Sequence, residues 1–256
     1  MTDDAPLAGL LLIDKPEGPT SMTVCRKVRR ALVNAGAPKR VKVGHGGTLD
    51  PMATGLLVVL VGKATPLCDA IMQGTKRYLT TVDLSRTSTT DDREGETTKI
   101  ESEPIERAQI EAVLPEFAGT IMQTPPAYSA MKVGGRRAYD LARRGEEVKL
   151  EPRPIRIDAL KLAEYAWPLA TLDVTCGKGT YIRSLGKDIG ARLGVGGMLT
   201  KLRRTASGRF DAENAIKLDD LPESLTQSDL MVTEEVTDLL NRRRHPPPAA
   251  GDPGRA

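Results

Sequence analysis

Two largely apolar runs, 9–14 and 56–61, are typical of short strands that are buried on both faces. Between them, apolar side chains recur at helical spacing after Ser21, a candidate N-cap, and Gly36 predicts the end of this helix. The first part of the chain therefore predicts strand, helix and strand, in that order.

The remaining apolar patterns predict strands at 78–84, 155–165, 169–176 and 198–210 and helices at 105–117, 138–144 and 180–193. The segment 87–103 is polar and acidic, so we predict a mobile surface loop there. The segment 123–137 is expected to be irregular. Because strands and helices mix without a strict β–α–β rhythm, the pattern indicates an α+β fold.

The apolar pattern weakens after Asp211, and the tail from Arg242 is charged and rich in proline, which predicts disorder. We therefore predict two parts: a main domain, 1–210, and a short C-terminal segment, 211–256, made of a helical remnant and a disordered tail.

Charges are segregated along a chain whose net charge is only +3. The stretch 26–42 contains seven Lys and Arg and no acid, and 178–209 is basic apart from Asp188. Acidic residues concentrate in 91–106 and after Asp211. This distribution suits a protein with one face on a phosphate backbone, although solvated helix faces explain it equally well.

Several classes of protein are disfavoured by missing motifs. The three cysteines lack CxxC spacing, which favours reduced thiols, and no apolar run reaches the length of a membrane span. The chain has neither HExxH nor a Cys/His cluster, and neither GxGxxG nor a P-loop. We therefore expect a cytoplasmic protein with no metal, no cofactor and no membrane partner.

The glycine-rich segment 44–55 is the strongest candidate for chemistry. Its glycines allow close approach of the backbone to a bulky ligand, and Pro51 favours an extended conformation at Asp50. His45, one of only two histidines, lies in the same segment. The pattern predicts a carboxylate on a tight loop at the edge of the core. A simple Asx turn at Asp50 is the alternative.

Residues 44–59, GHGGTLDPMATGLLVV, closely resemble the catalytic motif of the tRNA pseudouridine synthase B (TruB) family. Further family blocks follow in family order: DKPEGPTS at 14–21, KRY at 76–78, QTPPAYSAMK at 123–132, AYDLAR at 138–143, GTYIRSL at 179–185 and LRRT at 202–205. The resemblance implies a pseudouridine synthase fold, with a mixed, mostly antiparallel central sheet and flanking helices and loops around an active-site cleft. It also implies an isomerase that needs no cofactor.

The resemblance implies that the enzyme converts a uridine in the T loop of tRNA, position 55 by family likeness, to pseudouridine. Asp50 would be the catalytic carboxylate, attacking either C1′ of the ribose or the base, and Arg183 would keep it charged while it is shielded from water. Tyr78 would stack on the target base and accept a proton. Considered alone, Arg183 reads as a solvated phosphate contact and Tyr78 as a strand residue packed on the core.

The target base must leave its stack before it can react. By family likeness, His45 fills the gap that the base leaves, and Tyr181 and Leu202 line the uracil pocket. Local hydrogen bonding and ordinary partial burial are the plain alternatives for these three residues. The basic clusters at 26–30, 136–137, 143–144 and 203–204 are candidates for phosphate contacts.

We expect a monomer that binds the T arm of tRNA. No pattern for the small C-terminal RNA-binding domain of the PUA type, common in bacterial family members, is visible after Asp211. Two other functions remain open. One is an RNA-binding or RNA-folding module without catalysis, and the other is the same chemistry on an RNA selected by a small guide RNA.

Overall fold

The computed structural model describes residues 7–129, 131–133, 136–138, 141, 144 and 150–244. In this part of the chain the α-helices are α1 (Ser21–Asn34), α2 (Cys68–Gln73), α3 (Arg107–Val113), α4 (Ile182–Leu193) and α5 (Glu234–Arg244). The first seven strands are β1 (Ala8–Lys15), β2 (Val43–His45), β3 (Thr54–Gly62), β4 (Lys76–Asp83), β5 (Arg86–Ser88), β6 (Thr97–Lys99) and β7 (Gly119–Gln123). The others are β8 (Lys132–Val133), β9 (Arg136–Arg137), β10 (Arg153–Ala166), β11 (Leu169–Cys176), β12 (Met198–Ser207), β13 (Phe210–Asp211) and β14 (Ile216–Lys217).

Ten strands form one central sheet, whose main order is β14-β1-β3-β12-β4-β11-β10-β7, with β2 added to β3 and β13 added to β12. The pairs β1–β14 and β3–β12 are parallel, and the other pairs in this sheet are antiparallel. The predicted α+β fold with a mixed, mostly antiparallel sheet is therefore confirmed.

The two apolar runs form neighbouring strands of this sheet, β1 and β3, which pair along their whole lengths. Side chains along each of these strands point alternately into two cores. Leu11 and Val59 lie in the larger core, whereas Leu10 and Leu60 lie in a smaller core on the other face of the sheet. Burial on both faces is the physical reason for an uninterrupted apolar run, as predicted.

Helix α1 packs on the larger core through the predicted apolar stripe. The predicted N-cap was wrong by one residue, because the hydroxyl of Thr20 accepts the hydrogen bond from the Thr23 backbone N–H. Ser21 instead reaches across to Leu49, and its hydroxyl bonds both the backbone N–H (2.8 Å) and the carbonyl oxygen (3.0 Å) of that residue. The start of α1 is thereby tied to the loop that contains Asp50.

The prediction of a mobile surface loop at 87–103 was wrong. Strands β5 and β6 form a hairpin there, and Asp91 and Asp92 are buried. Two backbone hydrogen bonds join the turn to β12, from Arg93 N–H to the Leu199 carbonyl and from Leu199 N–H to the Asp91 carbonyl, each at 3.0 Å. This segment has no apolar stripe, and hydrogen bonds to the main sheet fix it instead.

The other predicted elements are found with shifted ends. Helix α3 is shorter than predicted and continues as a 3₁₀ turn at Leu114–Phe117, and α4 ends at Gly194, which adopts φ +72°. The segment predicted to be irregular contains the end of β7 and the β8–β9 hairpin. The helix predicted at 138–144 lies largely outside the described residues.

The segment after residue 210 contacts the same sheet. Strand β14 pairs with β1, and Met231 forms an isolated bridge with Leu10. Leu218 and Leu225 belong to the larger core, and helix α5 supplies Val236 to the smaller one. The boundary predicted at residue 210 stays a prediction, and the tail 245–256 lies outside the described residues. Over the stretch that the structure covers, no helix is long and apolar enough to cross a membrane.

Candidate active site

Asp50 lies in the loop that joins β2 to β3. The Asp50 carbonyl accepts a hydrogen bond from Ala53 N–H at 3.1 Å, so the chain turns tightly immediately after the carboxylate. The next residue is anchored as well, because the Pro51 carbonyl accepts a bond from Gly18 N–H at 2.9 Å. With the Leu49 contacts of Ser21, the positions on both sides of Asp50 are fixed to the start of α1.

Lys15 supports this loop from inside the protein. Its fully buried ammonium group donates to the carbonyl oxygens of Pro16 (2.9 Å), Pro19 (2.8 Å) and Pro51 (3.1 Å). Burial lowers the pKa of Lys15 to about 8, although the charge of Asp50 acts in the opposite direction. All three ammonium donors are used on backbone, which agrees with a structural role for the Lys15-Pro16 pair.

The carboxylate of Asp50 contacts the guanidinium of Arg183, with Oδ2 at 3.2 Å from Nε. The two side chains differ in exposure, since that of Arg183 is 7% exposed and that of Asp50 is 37% exposed. The protein alone therefore shields the Asp50 carboxylate from water less than the family resemblance implied. An ion pair with its anion at the surface leaves that anion within reach of an incoming nucleotide.

Arg183 is held from three further directions. Its NH1 group is 3.3 Å from Oδ2 of Asp92 and donates to the Thr90 carbonyl at 3.2 Å. Its NH2 group donates to the Tyr128 carbonyl at 2.8 Å. The alternative of a solvated phosphate contact is therefore wrong for Arg183, because the guanidinium is buried and its donors face protein acceptors.

A third carboxyl group lies within electrostatic range of this pair. Burial and then the negative charges of Asp92 and Asp50 raise the pKa of Glu94, while Arg183 partly offsets them. Glu94 N–H also donates to Oδ1 of Asp92 at 3.0 Å. The hairpin between β5 and β6 thus contributes a buried carboxyl group, Asp92, and an exposed one, Glu94, to the surroundings of Arg183.

Tyr78 lies on β4 between Val174 of β11 and Arg204 of β12. Burial raises the pKa of Tyr78, and the neighbouring Arg204 guanidinium partly offsets that rise. The charge of Asp50 also contributes to the rise, so phenol and carboxylate lie within electrostatic range of each other. Tyr78 is consequently a neutral hydroxyl group at neutral pH.

His45 ends β2 at the start of the same loop. Burial, and then the charge of Arg204, lower the pKa of His45, so the imidazole is neutral. Among the residues that the structure describes, its buried Nδ1 atom has no hydrogen-bond partner. A neutral, half-buried ring of this kind is suited to stacking.

Tyr181 and Leu202 differ in their surroundings. Tyr181 precedes α4, and the side-chain amide of the buried Gln123 bonds both its N–H (2.8 Å) and its carbonyl (3.1 Å). The guanidinium carbon of Arg153 lies 5.2 Å from the centre of the Tyr181 ring. Leu202 lies on β12 and is 8% exposed within the larger core, so its share in a pocket wall is small.

The cluster at 203–204 does not supply the predicted phosphate contacts. Arg204 is 2% exposed and bonds backbone carbonyls, and Arg203 forms a two-pronged ion pair with Asp14 at 2.9 and 2.8 Å. On α1, in contrast, Arg26 and Arg30 are exposed. Exposed candidates for phosphate contacts therefore remain on α1, on the loop after it and at Arg144.

Two family models match consecutive parts of the chain. Residues 31–182 match the N-terminal domain of TruB family pseudouridylate synthases, and residues 183–242 match the tRNA pseudouridylate synthase B C-terminal domain. The chain belongs to the TruB family.

Relatives within the TruB family are similar over most of this chain. The tRNA pseudouridine synthase B of Gluconobacter oxydans is 45% identical over 214 residues, which are 83% of this chain and 62% of that protein. The tRNA pseudouridine synthase B of Mycobacterium tuberculosis H37Rv is 46% identical over 222 residues, 84% of this chain and 72% of that protein. This chain thus spans roughly two thirds of the length of these relatives.

Solved structures confirm the fold. A Cbf5–Nop10–Gar1 complex matches with a TM-score of 0.64 and 32% identity, over 83% of this chain and 53% of that one. An H/ACA RNP bound to a substrate RNA containing 2′-deoxyuridine matches with a TM-score of 0.61 and 30% identity, over 83% and 52%. The predicted pseudouridine synthase fold is therefore correct.

Of the three residues predicted to be catalytic, the structure brings Asp50 and Arg183 into contact and places Tyr78 within electrostatic range of Asp50. Sequence reasoning missed Asp92, which stands in an acidic stretch that resembles a solvated loop. It also assigned Arg204 to the surface, because the charge of a residue gives no indication of its burial. The alternating pattern of β12 was the one available signal, since Leu202 and Arg204 share a face of that strand.

Proposed function

We propose that this chain isomerises a uridine of tRNA to pseudouridine, with Asp50 as the catalytic carboxylate. The contact of the half-exposed Asp50 carboxylate with the buried Arg183 guanidinium is the observation that supports this proposal best. Membership of the TruB family supplies the reaction, and identities of 45–46% with tRNA enzymes favour tRNA over an RNA selected by a guide.

The isomerisation is balanced without water, redox change or a cofactor. The bond from C1′ to N1 of uracil breaks, the base turns, and a bond from C1′ to C5 forms. The proton on C5 leaves, and N1 gains one. The Asp50 carboxylate adds to C1′ or to the base and later departs, so it is regenerated.

The neighbouring residues have separate parts in this proposal. Arg183 orients the Asp50 carboxylate. Tyr78 stacks on the uracil, and its neutral hydroxyl relays the C5 proton by taking it up while giving its own proton to water. His45 fills the gap that the everted base leaves in the T loop, while Tyr181 and Leu202 line the uracil pocket. The proposed partner is the T arm. The monomeric state and the cytoplasmic location stay predictions.

The deciding experiment measures tritium release from tRNA labelled at C5 of uracil. We expect release by the wild type and essentially none by Asp50→Asn, with tRNA affinity largely kept, because asparagine lacks the nucleophilic charge. Asp173→Asn is the matched control, since the Asp173 side chain is 34% exposed and pairs with Arg77 at 3.1 Å, much as Asp50 pairs with Arg183. This control should release tritium at the wild-type rate.

Two outcomes would contradict the proposal. Equal release by Asp50→Asn and the wild type would remove Asp50 from the reaction. Tight binding of tRNA without any release by the wild type would favour a module that folds RNA without modifying it.

A further inference from the structure

Arg204 fastens the loop that contains Asp50 to strand β12. Its Nε atom donates to the Leu56 carbonyl at 2.7 Å, NH2 donates to the Gly47 carbonyl at 3.1 Å, and NH1 makes a longer bond of 3.4 Å to the Thr48 carbonyl. These acceptors lie on both sides of Asp50 along the chain. One guanidinium therefore closes the base of the loop, with Asp50 at its far side.

The chain is built to let Arg204 approach so closely. Gly55 pairs with Arg204 at the short parallel contact of β3 and β12 and adopts φ +96°. A Cβ atom on Gly55 would lie 2.3 Å from the Arg204 carbonyl oxygen, and one on Gly47 would lie 3.5 Å from NH1. Glycine at position 55 is thus a steric requirement of this contact.

Within the described ranges, the charge of Arg204 has no direct counter-charge. Among the residues that the structure describes, no carboxylate oxygen lies within 4.0 Å of its guanidinium nitrogens, although the residue is 2% exposed. A guanidinium is permanently charged, and a buried charge without a partner acts strongly on its neighbours. Two of those neighbours are Tyr78 and His45, whose proton affinities it lowers.

We propose that Arg204 is a positioning residue of the isomerisation, which holds the Asp50 loop in its reactive geometry and places a positive charge behind Tyr78. The inference rests on the proposed function for its catalytic readout. It makes two separable claims, one on geometry and one on charge. Arg204 is 2% exposed, so we expect it not to touch the substrate, and tRNA affinity is not part of either claim.

The geometric claim is tested with Arg204→Lys and Arg204→Met, with Arg203→Met as the matched control on the opposite face of the same strand. In single-turnover tritium release we expect a fall of about 100-fold for Arg204→Met and about tenfold for Arg204→Lys, because a displaced carboxylate reacts slowly and lysine lacks the planar fork. The tRNA dissociation constant should change by less than about threefold in both variants, as should the rate of Arg203→Met.

The charge claim is tested by ultraviolet titration of tyrosine, taken as the difference between each protein and its Tyr78→Phe version. Arg204→Met should shift the Tyr78 titration to higher pH, because a nearby positive charge is lost. Arg204→Lys keeps that charge. In this variant the titration of Tyr78 should therefore stay at the wild-type position, while the rate of tritium release falls. A purely structural role for Arg204 would not separate the two variants in this way.

Each result decides one claim. A wild-type rate in Arg204→Lys and Arg204→Met would overturn the positioning role, and an unchanged titration in Arg204→Met would overturn the electrostatic one. If neither variant folds, Arg204 is a core residue and the proposal fails. If the wild type itself releases no tritium, the proposed function fails, while the titration still shows whether Arg204 acts on Tyr78.

Discussion

Arg183 lies between two carboxylates, Asp50 at 3.2 Å and Asp92 at 3.3 Å. The Asp92 side chain is only 2% exposed, whereas that of Asp50 is 37% exposed, so only Asp50 is accessible to a nucleotide. Asp92 is instead the fixed acceptor that holds the guanidinium on its other side. Because the Asp92 carboxylate holds the NH1 side of the Arg183 guanidinium, the Nε side stays oriented toward Asp50.

Asp92→Asn tests this division of roles. We expect the single-turnover rate to fall by about 10- to 100-fold, because Arg183 loses the charged acceptor that fixes NH1 and its geometry against Asp50 relaxes. Single-turnover tritium release at saturating tRNA measures the effect. Asp91→Asn is the control, since Asp91 is also buried but pairs with Lys187 at 3.2 Å. An equal loss in both variants would mean that the whole hairpin has been disturbed and that Asp92 has no special part.

At the scale of elements, strand β12 connects the parts of the candidate site because it lies between β3 and β4. Through β3 it meets the end of the Asp50 loop, and through β4 it meets Tyr78. The β3–β12 contact is parallel and only two residue pairs long, Thr54 with Arg203 and Gly55 with Arg204. At its second pair this junction depends on the absence of a side chain at Gly55, where the Arg204 backbone leaves no room for a Cβ atom.

Gly55→Ala is expected to lower the free energy of unfolding by about 3 kcal/mol, from strained backbone and from the clash with Arg204. Gly36→Ala is the matched control, since Gly36 has the same φ of +96° and its added Cβ would meet nothing within 4 Å. The control should lose only about 1 kcal/mol, which is the cost of the backbone conformation alone. Urea unfolding measures both, and equal losses would show that the close approach to Arg204 has no energetic weight.

At the scale of the whole molecule, two buried lysines make the free energy of unfolding depend on pH in the alkaline range. The pKa values of Lys15 and Lys76 fall from 10.5 to about 8, chiefly by burial, whereas burial raises the thiol pKa values of Cys25 and Cys176 from 9.0 to about 11. Between pH 8 and 9 the unfolded chain therefore binds more protons than the folded one, and stability rises with pH. Between pH 9 and about 10.5 the two thiols offset the two lysines, because the folded state retains thiol protons that the unfolded state has lost.

We expect the free energy of unfolding, measured with urea, to rise from pH 7.5 to about 9 and then to level off or fall. Lys76→Met should reduce the rise by about half, because one of the two lysines no longer titrates. Lys217→Met, at an exposed position on β14, should keep the full rise. A flat profile in the wild type would show that the buried ammonium groups keep their ordinary pKa values.

The proposed binding surface for tRNA is also a property of the whole molecule. Replacing the exposed Arg26 and Arg30 of α1 together by glutamine should lower tRNA affinity and reduce the slope of log affinity against log salt by about 1.5, because two phosphate contacts release their counterions. Titrations at several salt concentrations measure the slope. Arg192→Gln should leave it unchanged, since Arg192 already pairs with Glu116 at 2.7 Å. An unchanged slope in the double variant would remove α1 from the interface.

The sequence by itself determined the strands β1 and β3 and the helices α1 and α4, because burial of a strand or helix leaves a trace in the order of apolar residues along the chain. It also indicated Asp50 as the candidate catalytic carboxylate, through the glycine-rich segment that contains it. It did not indicate that Asp92 would face Arg183 or that Arg204 would be buried. Those contacts join residues about 90 and 150 positions apart, and they exist only because β12 enters the sheet between β3 and β4. The spacing of apolar residues indicates which side of an element is buried. The order of the strands in the folded sheet decides which groups a buried charge contacts.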